Sequence, residues 1–147
     1  MICWVLLILI STGSVMTYQN VSNPKLGVEN GHFKPLSGKP NGVSSQAENA
    51  SKKVAVIPYK GDMAKQMQSV EKVVAAMPGA KIEQIEGPYL YAVFTSSLMR
   101  FKDDVEVYLD DAKKEINFRS ASRVGYSDMG VNRKRYNAFA MKLESTK

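Results

Sequence analysis

Three carboxylates stand almost side by side in Asp103-Asp104-Val105-Glu106. Acidic groups this close can hold a divalent cation or divide the roles of general acid and base. Strand geometry restricts that chemistry, because alternate side chains leave opposite faces. Asp104 and Glu106 then share one side and Asp103 takes the other, so two of the three can converge. Arg119, on the following strand-like run, falls opposite Asp104 or Glu106 in either plausible register. Such a cross-strand pair contributes about 0.2–1 kcal/mol. A structural ion-pair network is the expectation, ahead of a divalent-metal site. Glycosidase-type chemistry would need two carboxyls flanking a cleft, and no pattern here points to one.

Nucleophilic chemistry has little to work with. Ser44-Ser45 lack a Gly-x-Ser-x-Gly elbow, and the one histidine, His32, precedes them by twelve residues in the same polar stretch. The serines are expected to cap that stretch or tie it to a folded unit. One cysteine and one histidine exclude an internal disulfide framework, a multi-cysteine zinc site and a multi-histidine metal centre. No cofactor motif is present, so no catalytic residue, metal ligand or cofactor is assigned.

A third constellation is polar without being acidic: Ser120, Ser122, Arg123, Ser127, Asp128, Asn132 and Arg133, joined by Arg119. It runs from a strand end through a Gly125-containing loop into a helix start. Arginines beside a helix N-terminus can hold an anion. The same groups can instead satisfy one another and lock the helix to the sheet, which is the favoured expectation.

Positioning these groups requires a sheet and two helices. Val54–Ile57 reads as a short strand ending at Pro58. Met63, Met67, Val70, Val74 and Met77 then recur at helical spacing, with Asp62 as N-cap and Pro78-Gly79 as stop. The methionine stripe is read as core. Four strand-like runs follow, Lys81–Glu86, Tyr89–Thr95, Asp103–Leu109 and Glu115–Ser122, with 110–114 as a hairpin connection. A last helix spans about Gly130–Glu144, its apolar stripe formed by Tyr136, Phe139, Ala140 and Leu143. Asn132 falls on that stripe, where a buried amide without partners would cost about 1–3 kcal/mol. The element order β-α-β-β-β-β-α implies an α+β fold: a single antiparallel sheet with two helices packed on one face.

The domain expected over 53–145 is preceded by two other segments. Met1–Ile10 is an apolar run followed by small residues, and residues 1–24 carry no charge. Residues 1–16 are read as a signal peptide or N-terminal membrane anchor, although the run falls short of the roughly 20 residues that span a bilayer. Residues 17–52, rich in Ser, Gly, Asn and Pro, are read as a polar flexible linker. Net charge is +6, and residues 113–147 supply the surplus, with nine Lys/Arg against three Asp/Glu. Neither stacking aromatics nor a nucleic-acid motif accompanies it, so nucleic acid is not an expected partner.

Four stretches, Pro40–Ser45, Phe94–Ser96, Phe101–Glu106 and Arg119–Arg133, closely resemble one family, the domain-of-unknown-function family 1499. Its members are small, mostly bacterial proteins, often behind an N-terminal hydrophobic segment. The resemblance covers roughly residues 27–143 and implies no particular activity. It marks Asn41, Ser44, Ser45, Thr95, Asp103, Asp104 and Glu106 as signature residues, with Arg119, Ser120, Ser122, Arg123, Asp128, Asn132 and Arg133. The family commonly carries cysteines at positions corresponding to about Leu36 and Gly42, both absent here. Their joint loss fits a missing disulfide and implies a looser Phe33–Val43 segment.

Two functions follow as expectations. One is an exported or membrane-anchored protein of the periplasm or cell envelope, a non-enzymatic module binding an envelope protein, an anionic lipid or a small anion. The alternative is a hydrolase or metal-dependent enzyme using Asp103, Asp104 and Glu106.

Overall fold

The computed structural model describes residues 14–22 and 24–146. The fold is α+β, and its main sheet has six strands. Four long antiparallel strands form the centre: β5 (Ala80–Glu86), β6 (Tyr89–Thr95), β7 (Lys102–Asp110) and β8 (Glu115–Ser122). Beyond β8, two short strands share one edge. β3 (Gly42–Ser44) pairs with Arg119–Ala121, and β4 (Ile57–Pro58) pairs with Glu115 and Ile116. Pro58 cannot donate to a ladder, and an edge is where its missing N–H does no harm. The strand expected over Val54–Ile57 is therefore shorter and displaced toward Pro58, although Val54 is buried.

Helix α2 (Met63–Ala75) begins where expected, with the Asp62 carboxylate accepting the Lys65 N–H at 2.9 Å. Helix α3 (Val131–Glu144) closes the fold. Both pack on one face of the sheet. Met67, Val70 and Val74 of α2 and Tyr136, Phe139 and Leu143 of α3 share a core with Leu90, Ala92, Phe94, Val105, Val107, Leu109, Ile116 and Phe118. These sheet residues alternate along β6, β7 and β8, so one face is apolar and its neighbours in sequence point the other way.

Two expectations need correction. The sheet is not single: β1 (Val28–Glu29) and β2 (His32–Phe33) form a separate two-stranded hairpin. Its two-residue turn is Asn30-Gly31, with φ of 52° and 80°, the double positive φ of a type I′ turn that an Asn-Gly pair favours. The element order gains β1, β2 and β3 accordingly. The stretch 17–52 is also not a flexible linker throughout, since Asn41, Val43, Ser44 and Ser45 are buried against β8. Polar composition misleads here because the serines and Asn41 are satisfied by hydrogen bonds rather than by water. Within Phe33–Val43 both ends are buried while 37–40 is exposed. A Cβ placed on Gly42 would lie 3.0 Å from Leu36 Cδ2, so the two positions where the family commonly carries cysteine are neighbours in space.

Residues 14–21 are helical (α1) and exposed as far as Gln19. No helix among the described residues is long and apolar enough to cross a membrane. The apolar run Met1–Ile10 lies outside the described residues.

Candidate functional site

The signature residues separate onto the two faces of the same strand ends. On the face away from the helices, Glu106 is fully buried and Asp104 nearly so. Arg119 stands opposite Glu106 in the β7–β8 register, and its Nη1 donates to Glu106 Oε2 at 2.9 Å. Glu106 Oε1 accepts the Tyr89 hydroxyl at 2.9 Å and the Gly27 N–H at 3.0 Å. Arg123 grips Asp104 through Nε at 3.0 Å and Nη2 at 2.8 Å, while the Tyr91 hydroxyl donates to Asp104 at 2.6 Å. Burial, then the neighbouring carboxylate, raises both tyrosines well above their ordinary value, so each remains a donor. Burial works against the Arg123 charge, yet Asp104 raises its pKa overall.

The N-terminal segment covers this face. Arg119 Nε donates to the Lys34 carbonyl at 3.0 Å and Arg123 Nη1 to the Asn20 carbonyl at 3.2 Å. Phe33 lies edge-on to Tyr108, with centroids 6.5 Å apart. A cleft of about 300 Å³ remains between segment and sheet, bordered by Gln19, Ser37, Asn41, Arg119, Ser122 and Arg123.

The helix face holds a second polar cluster, centred on Asn132. This side chain is fully buried at the start of α3. Its Nδ2 donates to the Asn41 carbonyl at 3.1 Å, Ser122 Oγ at 3.0 Å and Asp128 Oδ2 at 2.7 Å. Its Oδ1 accepts from Ser120 Oγ and from Arg135 Nη1. Arg135 also donates to Asp103 Oδ2 at 2.7 Å and lies over the Phe94 ring at 4.6 Å. Asp128 accepts the N–H groups of Gly130 and Asn132 at 3.0 and 2.9 Å. Burial pushes its carboxyl up, but these donors hold it below the usual aspartate value. Gly130, the N-cap, has no side chain to offer, so Asp128 supplies the missing acceptor.

The carboxylate triplet is thus divided as strand alternation requires, with Asp103 on one face and Asp104 and Glu106 on the other. Among the described residues, no group of three or more His, Cys, Asp or Glu is placed to hold a metal ion. Ser45 Oγ donates to Asn117 Oδ1 at 3.0 Å and accepts the Phe118 N–H at 3.1 Å, tying β3 to β8. Ser44 Oγ accepts the Gln46 N–H. A larger groove, about 620 Å³, holds His32 and Ser44 on its rim. There the Ser44 hydroxyl oxygen serves the local turn, and the carboxylate–arginine pairs lie elsewhere. Thr95 ends β6, its N–H donating to the Gly79 carbonyl at 2.9 Å. Arg133 leaves the cluster and donates to the Ser51 and Lys53 carbonyls at 2.8 and 3.1 Å.

Arg135, Tyr89 and Tyr91 belong to these networks and escaped the sequence reading. The available signals were the parity of Asp103, which calls for a cation on the final helix, and the spacing of Arg135 three residues after Asn132. For the tyrosines it was alternation: Tyr89 and Tyr91 share a face opposite Leu90 and Ala92.

Fold and site together define a small α+β protein in which arginine–carboxylate pairs brace both faces of an antiparallel sheet. Residues 32–143 match the family model described as "Protein of unknown function (DUF1499)", and the chain belongs to that family. No curated protein and no solved structure matches the chain.

Proposed function

We propose that this chain is an exported or membrane-anchored protein of the cell envelope that acts as a non-enzymatic binding module. Its site is the cleft between the N-terminal segment and the β7–β8 face. One observation carries this reading: Arg119 and Arg123 each meet a buried carboxylate and turn remaining donors onto backbone carbonyls, those of Lys34 and Asn20. Two guanidiniums balanced by two carboxylates make a weak trap for a free anion and a good one for carbonyl oxygens. The preferred ligand is an extended peptide segment of another envelope protein, ahead of a small anion or an anionic lipid headgroup. Support for export or anchoring is the uncharged N-terminus with its apolar Met1–Ile10 run.

The test combines a photo-crosslinking residue at Ser37, beside the cleft, with one at Glu83, on the far edge strand. A protein adduct from Ser37 and none from Glu83 is the expected result. Thermal melting separates the competing ligands. Stabilisation by phosphate that disappears in Arg119→Gln would redirect the site to anions. Stabilisation by a divalent cation that disappears in Asp104→Ala would overturn the binding reading in favour of a metal-dependent enzyme.

A further inference from the structure

The exposed apolar residues of this protein are gathered at one end. Twelve large hydrophobic side chains are exposed among the described residues, and ten of them lie on α1, on the β6–β7 loop, or between β8 and the first residue of α3. Only Ile85 and Met141 fall elsewhere. Leu98 and Met129 are 87% and 88% exposed and Tyr126 is 73% exposed. Single exposed apolar residues are ordinary, but a contiguous group signals a partner or a membrane.

Hydrogen bonds hold these three segments together. Asn20 of the α1 end donates to the Arg100 carbonyl at 2.9 Å and accepts the Lys102 N–H at 2.8 Å. The Arg123 N–H donates to the Lys102 carbonyl at 3.0 Å, joining the loop after β8 to the first residue of β7. In the sequence the apolar run Met1–Ile10 precedes α1 by three residues. α1 itself offers Val15, Met16, Tyr18 and Val21 to solvent and carries no charge. Ser14, Thr17 and Gln19 are exposed beside them, so α1 is a short uncharged helix of mixed polarity whose apolar side chains gain by lying against an apolar phase. Arg100 is the charge of the β6–β7 loop and Lys102 opens β7, with no acidic residue between Thr95 and Lys102, while Asp128 of the third segment is turned to the N–H groups of Gly130 and Asn132. Apolar side chains beside Arg100 and Lys102 match the interface of an anionic bilayer.

We propose that this end, formed by α1, Leu98–Phe101 and Tyr126–Met129, is a membrane-docking face that lies in the headgroup region of an anionic phospholipid bilayer. The inference rests on the anchored reading above and extends it. A short apolar segment alone gives a marginal hold on a membrane, and a second contact makes the attachment firm and fixes its orientation. Docked this way, the cleft between α1 and the sheet sits beside the headgroup layer, with the opposite end of the sheet directed into water.

The full chain with Trp4→Phe, which removes its one tryptophan, is given a reporter as Leu98→Trp, Met129→Trp or Ile85→Trp. Each is mixed with phosphatidylcholine–phosphatidylglycerol vesicles with or without bromine on the acyl chains. The reporters sit at exposed positions, and the melting temperature of each variant is compared with that of the parent. Expected is at least about twofold quenching of the 98 and 129 reporters by brominated lipid, with the 85 reporter unchanged. Co-flotation with vesicles while all three reporters respond alike would overturn the docking face and leave the anchor standing. Failure to float would overturn the anchor and the docking face with it. Absence of lipid quenching, with the 98 reporter shielded from aqueous iodide, would assign this end to a second copy of the chain and likewise overturn the proposal.

Discussion

The two faces of β7 carry the same chemistry to different ends. On the helix side, Asp103 meets Arg135, which also reaches Ser120 Oγ and Asn132 Oδ1 and lies over Phe94. On the other side, Glu106 meets Arg119 while collecting donors from Tyr89 and Gly27. Asp103 is one support among several for its arginine. Glu106 is the hub on which three donors depend, and no part of it reaches water. The helix-side cluster meets the cleft at Asn41 and Ser122, whereas the other faces it with Asp104, Arg119 and Arg123 and is covered by a separate stretch of chain. Alternation in one strand thus separates a lock from a surface that faces a cleft, using residues one to three positions apart.

Removing the hub gives the largest expected effect. Glu106→Ala leaves Arg119 buried without a counter-charge, which costs about 3–5 kcal/mol. Asp103→Ala removes a pair whose side chains are 11–12% exposed and whose arginine keeps other partners, so its loss is smaller. Urea unfolding of both variants measures the gap, and equal losses would erase the distinction between the faces. Next comes Asn132→Leu, at about 2–3 kcal/mol despite the added apolar bulk, because Ser120, Ser122, Asp128 and the Asn41 carbonyl lose a shared partner. An unchanged melting temperature would show that the helix-side cluster is not a lock.

How far this was legible follows from which rule governed each residue. The facing of Asp103, Asp104 and Glu106 follows from period-two alternation, so the sequence carries it openly, whereas antiparallel registry put Arg119 opposite Asp104 or Glu106 and the structure selects Glu106. Asn132 announced itself as an amide on an apolar helical stripe. Residues 28–45 were obscured because their burial is achieved through hydrogen bonds, as when Ser45 ties β3 to β8, and hydropathy does not register that. The Asn30-Gly31 turn was the available sign of a hairpin there. Arg133 and Arg135 show the remaining limit: both are basic and two residues apart near the start of α3, and the signals for Arg135, its spacing from Asn132 and the parity of Asp103, count only once α3 is packed against β8.

Titration sharpens the comparison on the helix side at the acid end. The Asp128 carboxyl is held below its ordinary value in the folded state, so its contribution is complete above about pH 4 and fades as pH falls through the folded value. Asp128→Asn should cost about 1–2 kcal/mol at pH 7. The stability curves of variant and parent should converge in strong acid. Parallel curves down to the acid limit would remove the carboxylate from the lock.

The opposite face responds at the alkaline end, and with the smallest effect. Tyr91 donates to Asp104, and ionising it would place a phenolate against that carboxylate. Its folded-state pKa is raised by burial and then by Asp104. The neutral phenol therefore stabilises the fold fully below the ordinary tyrosine value near 10, and that contribution is lost as pH climbs above it. Tyr91→Phe removes the hydrogen bond to Asp104 and the one accepted from Arg123 Nη2. Since Asp104 and Arg123 keep each other, the cost is about 1 kcal/mol at neutral pH, and the decline in stability above about pH 10 should flatten. Tyr89 is raised by the same causes, with Glu106 in the place of Asp104, so Tyr89→Phe combined with Tyr91→Phe should flatten it further. A high-pH slope untouched by both substitutions would mean that the N-terminal segment releases this face before the tyrosines ionise. The cleft would then open under conditions that leave the helix-side lock intact.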